Sequence, residues 1–336
     1  MSDLTVNQVF RPAKSRRLVS AWVVQGAIVP ALARVQEFRD LFDQVIFMCG
    51  AVNADGTLSS LWPLAERQEQ VARLRELGVS VLNDYGGAWK GAGEALLASP
   101  ALAREWVNRM VEECEATGAD GVDIDFEHWP AVGRFVFTEF IRQLAAALHA
   151  RQKMLSICVY ALSPEARREN GIGFWDVALL AQYADCLRPM TYDLFCPPSQ
   201  YIGPPSAAPW GRECMAYMAT HVPRHKIVMG LPTYSVDWDM SEPARSRHVN
   251  DVQWIAQREK ESPIGRGWCY WLDVNLIRYT DPDGHPHLLY LSDARSTRSH
   301  LVTVDSQDLA GVCFWVLTGE EDPAIWECVR QHFQRW

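Results

Sequence analysis

Four carboxylates fall within the eight residues Asp120-Gly-Val-Asp-Ile-Asp-Phe-Glu127. From Val122 onward polar and apolar residues alternate with a period of two. In an extended strand Asp123, Asp125 and Glu127 therefore share one face, and Val122, Ile124 and Phe126 share the other. Packing three like charges into a core without a task for them is too unfavourable to be structural. The expected use is acid–base chemistry at an open strand end. A calcium loop of the EF-hand type needs its acids in a glycine-bent loop, whereas β-favouring apolar residues separate them here. Magnesium held at the strand end is the alternative use of the same face.

The spacing also limits the mechanism. Same-face neighbours on a strand lie about 6.6–7 Å apart at Cα and point the same way. Asp125 and Glu127 therefore cannot straddle a sugar ring as nucleophile and acid. A nucleophile from elsewhere is required, and the 2-acetamido carbonyl of an N-acetylglucosamine unit can supply it. Glu127 would then protonate the leaving oxygen, while Asp125 holds the acetamide N–H and stabilises the oxazolinium ion. Crowding of the carboxylates should raise the pKa of Glu127 and keep it protonated near neutrality.

Those side chains need a rigid frame. Short apolar or β-branched runs near 18–24, 43–49, 79–83, 121–127, 154–160, 185–192, 226–233 and 311–316 read as eight strands. Helical periods separate them. In 64–77 the residues Leu64, Val71, Leu74 and Leu77 share a face and Gly78 supplies the stop. Ser99-Pro100 starts another helix, with serine as N-cap and proline at the first helical position. Strand then helix, repeated about eight times, predicts an α/β fold: an eight-stranded parallel β/α (TIM) barrel. The region 235–309 breaks the alternation and is expected to be a small α+β insertion between strands seven and eight, with Asp283-Gly284 as a hairpin turn. With no repeat or Gly/Ser-rich linker, residues 1–336 are expected to form a single catalytic domain.

Composition narrows the partners. A net charge of −9 disfavours nucleic acid and anionic membranes. Fourteen tryptophans mildly favour carbohydrate, since flat aromatic faces suit pyranose rings, although large core residues would use them equally. Nine scattered cysteines without a CxxC pair point to free thiols in a reducing compartment, and no metal or cofactor is expected. Lys14, Arg16 and Arg17 before the apolar run 18–33 imitate a secretory signal. Gln25 and Pro30 interrupt that run, and it is needed as the first strand, so a cytoplasmic location is expected. The sequence sets no oligomeric state.

The chain resembles glycoside hydrolase family 18, whose DxxDxDxE signature is met by Asp120, Asp123, Asp125 and Glu127. Further matches follow in order: Gly86-Gly87, Met190-Thr-Tyr-Asp193, Lys226-Ile-Val-Met-Gly-Leu-Pro-Thr-Tyr234 and Trp315. Gly203-Pro-Pro205, Ala208-Pro-Trp210, Tyr279-Thr-Asp-Pro-Asp-Gly284 and Ser292-Asp-Ala-Arg-Ser296 are similar to its spore-cortex-lytic and chitobiase-like N-acetylglucosaminidases. The lysin-motif repeats that often accompany that branch are not found in this sequence. The resemblance implies that Glu127, Asp125, Asp123 and Tyr192 are catalytic, with Tyr192 donating to the acetamide oxygen. It also implies that Asp193 and Met190 lie against the sugar, with Trp315 as the floor beneath it. Tyr234 is a candidate for lining the cleft and equally a core tyrosine. The carbohydrate expected is one containing N-acetylglucosamine.

Two positions depart from the family pattern. Asp84 stands where a serine is common, two residues before the paired glycines. It is expected either as an inert solvated loop residue or as a group that perturbs Asp123 and Asp125 or contacts substrate. Phe195-Cys196 stands where the cortex-lytic branch tends to carry His or Trp. Two other functions fit the same residues: a lectin-like barrel that binds sugar without cutting it, and a cytoplasmic hydrolase that removes an amino-sugar from a glycosylated metabolite.

Overall fold

A computed structural model describes residues 17–53, 56–86, 92–127, 133–163, 175–197, 199, 201–242 and 245–334. Its strands, in chain order, are β1 (Leu18–Val23), β2 (Gln44–Val52), β3 (Leu58–Ser60), β4 (Ser80–Gly86), β5 (Gly121–Asp125), β6 (Met154–Tyr160), β7 (Cys186–Met190), β8 (Val228–Pro232), β9 (Ser235–Asp239), β10 (Arg247–Val249), β11 (Arg266–Cys269), β12 (Val274–Thr280), β13 (Pro286–Leu291) and β14 (Gly311–Trp315). Eight of them, β1, β2, β4, β5, β6, β7, β8 and β14, pair in parallel. The sheet closes because β1 bonds both β14 and β2. This is the expected barrel, with the carboxylate segment on its fourth strand.

One device recurs at the N-terminal rim. An aspartate stands just before β2, β5 and β7, and its carboxylate accepts the second backbone N–H of the preceding barrel strand. Asp43 takes Val19 N at 2.8 Å, Asp120 takes Val81 N at 2.9 Å and Asp185 takes Leu155 N at 2.8 Å. Each clamp fixes register between neighbours where the parallel ladder begins. Asp120, the first acid of the motif, is thus spent on the frame, and Arg75 holds its other oxygen at 2.8 Å.

Alternation along each strand divides the core in two. Val122, Ile124 and the other outward residues form the layer between barrel and helices. Trp22, Ile46, Leu82, Cys158, Met190, Val228 and Cys313 point into the barrel. Helices cover the outside largely as expected. In Leu64–Glu76 the side chains of Val71 and Leu74 are buried while Leu64 stays exposed. The helix Pro100–Thr117 starts after Ser99, whose side chain makes no capping bond.

The insertion is an antiparallel sheet in the order β10-β9-β13-β12-β11, with the helix Val252–Glu261 against it. Its hairpin turns at Asp281–His285, where Gly284 N donates to Asp281 O at 3.0 Å. It ends at Leu291, earlier than the expected boundary at 309. The following helix Ala294–Ser306 belongs to the barrel layer, since Leu301 and Val304 lie in the outer core. No helix among the described residues is long and apolar enough to cross a membrane.

Candidate active site

The strand β5 carries its acids to different depths. Asp123 is 0% exposed. Asp125 is partly buried at the strand's last residue, and Glu127, two residues beyond, is partly exposed. Pleating puts all three on the barrel-interior side, and only the last two reach the C-terminal mouth where barrels hold their sites. Asp123 therefore lies below the surface that a substrate could touch. Its influence has to pass through its neighbours.

Those neighbours are unusual for a barrel core. Asp123 Oδ2 accepts from Trp22 Nε1 at 3.2 Å and from the Cys158 thiol at 3.2 Å, and Oδ1 accepts from Ser156 Oγ. Arg188, also 0% exposed, reaches Asp123 Oδ1 with its Nε at 3.4 Å. The same guanidinium donates to Ser156 Oγ at 3.2 Å, to Ser20 Oγ at 2.8 Å and to Gln44 Oε1. One buried cation on β7 is therefore tied to β1, β2, β5 and β6. A buried charge persists only when paired and hydrogen-bonded in this way.

Asp84 corrects the reading of an inert, solvated loop residue. The strand β4 runs on to Gly86, so Asp84 lies within it, 1% exposed and in register with Asp123. Burial pushes its carboxyl well above the ordinary range, and the charges of Asp125, Asp123 and Glu127 push it further, against the pull of Arg188. Burial likewise drives Asp125 well up, helped by Glu127 and Asp123. Asp123 is raised by burial too, but Arg188 and the donors Cys158 and Trp22 hold it down. Burial and mutual repulsion thus favour the protonated form most at Asp84 and Asp125, while Arg188 favours the anion at Asp123. Oδ1 of Asp125 and Oδ1 of Asp84 are both shielded from solvent without a hydrogen-bond partner among the described residues.

Because the folded-state pKa of Asp84 lies above its unfolded value, the folded chain holds an extra proton there. The stability this gives is complete below the unfolded pKa and is lost as pH rises through the folded one. Asp84→Asn removes that loss. The variant and the parent should melt together near about pH 4, and the variant should melt higher by about pH 8. Thermal melts across that range check it, and an unchanged pH slope contradicts it.

The other candidates gather at the same mouth. Tyr192 follows β7 and is 9% exposed. Burial, with Cys158 and Asp125 near it, pushes its hydroxyl well up, so it stays a protonated donor. Gly230 on β8 makes room for it: a Cβ there would meet Tyr192 Cε1 at 3.1 Å and Pro189 O at 2.8 Å. Met190 is a buried wall residue of the barrel interior. Trp315, at the end of β14, is partly exposed and meets Trp22 edge-on at 6.1 Å between ring centroids. Asp193 is exposed at a φ of 55° and accepts the Tyr234 hydroxyl on Oδ1. Tyr234 itself is buried, so it is a core tyrosine whose polar end reaches the site. Gly87 and His128 lie outside the described residues.

Sequence reasoning missed Arg188 and its partners Ser20, Gln44 and Ser156. A signal existed: within the strand predicted at 185–192, Arg188 stands among the apolar residues that form β7, where a buried charge demands a partner.

Comparison with known proteins agrees with this fold. The model for Glycosyl hydrolases family 18 matches residues 21–320. An uncharacterized glycosylase of Bacillus subtilis is 22% identical over 243 residues, covering 70% of this chain and 68% of the relative. The cortical fragment-lytic enzyme of Bacillus subtilis is 25% identical over 249 residues, 72% of this chain and 56% of the relative, so the chain spans little more than half of that protein. The crystal structure of a chitinase from Chromobacterium violaceum superposes with a TM-score of 0.84 at 23% identity, covering 95% of this chain and all of that one (100%). With its barrel closed, its acid motif on the fourth barrel strand and the family model matched from one end of the barrel to the other, the chain belongs to the glycosyl hydrolases of family 18.

Proposed function

We propose that the chain hydrolyses β-linked N-acetylglucosamine glycans, of the chitin-oligosaccharide or peptidoglycan type, with retention of configuration and with the substrate's own acetamide as nucleophile. The observation that carries this reading is the graded burial of the β5 acids. Asp123 is locked to Arg188 below the floor, while Asp125 and Glu127 stand side by side at the mouth, too close in direction to take opposite faces of a sugar. Such a pair can serve as helper and acid, and the attacking oxygen has to come from the substrate.

Each group then has one task. Glu127 donates its proton to the departing oxygen and afterwards takes one from water. Asp125 offers Oδ1, which has no hydrogen-bond partner among the described residues, to the acetamide N–H. As positive charge develops on the oxazolinium ring, the Asp125 side chain beside it stabilises that charge when it is largest. Tyr192 donates to the acetamide oxygen and aims it at the anomeric carbon. Trp315 supplies an apolar platform under the ring, and Asp193 bonds a sugar hydroxyl. Free thiols at all nine cysteines fit a reducing, cytoplasmic compartment.

Incubation with chitin oligosaccharides and with peptidoglycan fragments, followed by product mass, tests the reading. Release of shorter products carrying N-acetylglucosamine is expected from at least one of the two. Binding of both without release would mean a lectin-like barrel instead.

A further inference from the structure

Asp193, Cys196 and His248 place a carboxylate oxygen, a thiol sulfur and an imidazole nitrogen within 4.8 Å of one another, the one such group among the described residues. They come from two places: Asp193 and Cys196 from the segment after β7, and His248 from β10 at the edge of the inserted sheet. One sulfur, one nitrogen and one oxygen donor form the mixed set that a borderline-soft divalent ion prefers. Three protein ligands with an open fourth position are the arrangement of zinc sites that keep a place for water.

The surroundings hold the three donors in place. The Tyr234 hydroxyl donates to Asp193 Oδ1, orienting that carboxylate as an outer-shell partner orients a metal ligand. The ring of Tyr234 lies against His248 with centroids 4.6 Å apart at 37°, so the same tyrosine positions two of the three. The loop carrying Cys196 is pinned on both sides. Leu194 N donates to Pro205 O at 3.0 Å and Ser199 N donates to Cys196 O at 2.8 Å. The ring of Phe195 presses on Gly203, where a Cβ would come within 2.2 Å of it. Donors already held near one another bind an ion at a smaller ordering cost.

The geometry points to a divalent zinc-class cation site formed by Asp193, Cys196 and His248 at the rim of the active-site mouth, through which such an ion blocks the sugar. Binding replaces the Cys196 S–H bond with a metal–sulfur bond and sends the proton to solvent. The same ion occupies the Asp193 carboxylate that the substrate would use. The blocking effect rests on the glycosidase reading; the binding site does not.

Cadmium alone, titrated into the full chain, tests the site through the ultraviolet charge-transfer band of a cadmium–thiolate bond. The parent should give a band saturating at one equivalent and displaced by zinc. Cys196→Ser should abolish it, and His248→Ala should weaken binding by about tenfold or more. No saturable band in the parent, or the same band in Cys196→Ser, overturns the site. In a hydrolysis assay zinc should inhibit the parent over the range in which it displaces cadmium, and Cys196→Ser should be about tenfold or more less sensitive. Equal sensitivity of the two overturns the blocking role. A chain that hydrolyses no glycan but still gives the Cys196-dependent band loses the glycosidase reading and keeps the metal site.

Discussion

Glu127→Gln should lower kcat on an oligosaccharide by about 10²–10⁴-fold while leaving the melting temperature close to that of the parent. Glutamine keeps the shape and one hydrogen bond but has no proton to give to a departing sugar oxygen. The deficit should therefore shrink when the leaving group needs no proton, as with a nitrophenyl glycoside, because departure of a weakly basic phenolate calls for little acid help. A side chain that merely shaped the cleft would affect both substrates alike. Glu127 stands partly exposed beyond the end of β5, so exchanging it for an amide of the same shape should not weaken the fold. Steady-state rates on the two substrates, with a thermal melt beside them, check this. Equal loss on both substrates would falsify the acid role.

The largest effect on stability is expected from Arg188→Met. Arg188 and Asp123 are an ion pair with no exposed surface. Removing one partner of such a pair costs about 3–5 kcal/mol, because the other is left charged in a low-dielectric interior. The cost here includes the acceptors on Ser20, Gln44 and Ser156, which lose their shared donor. Chemical denaturation should show a drop of that order. Adding Asp123→Asn should recover part of it, since an amide needs no counter-charge and still meets the donors from Trp22 and Cys158. Recovery in the double variant separates the charge effect from simple loss of packing, and a single variant within about 1 kcal/mol of the parent contradicts the pairing. Activity should fall as well. Without the guanidinium Asp123 loses the contact that fixes it beneath Asp125.

Much of this arrangement could be read from residue order. The eight barrel strands stand out because both of their faces are buried, which makes them near-continuous apolar runs. The motif on β5 is legible because its period of two separates acids from core residues. The insertion was harder. β9 and β10 went unassigned because Ser235-Val-Asp-Trp-Asp239 carries two aspartates yet is buried throughout. Asp237 is satisfied by the Tyr279 hydroxyl at 2.9 Å and by His287 Nδ1 at 3.1 Å, and Asp239 by Ser241 N at 2.9 Å. Two of those three partners lie more than forty residues away, so no local pattern announces that the charges are paired.

Asp84 was misread for a similar reason. Nothing in Asp84-Tyr-Gly-Gly87 reveals that the strand continues through it, and a carboxylate before glycines ordinarily suggests a loop. Only the closed barrel brings Asp123, Asp125 and Arg188 around it. The pairing of Asp193 with His248 is equally invisible in one dimension, because it depends on β10 folding back beside β9.

Substrate assistance is tested most directly by a matched pair of glycosides that differ only at carbon 2 of the sugar whose bond is cut, one bearing the acetamide and the other a hydroxyl. With the intramolecular nucleophile worth a large effective concentration, kcat/KM should fall by about 10³-fold or more for the hydroxyl compound. The acetamide compound should release its product first as the β anomer. Comparable turnover of the two glycosides, or an α product, would contradict it.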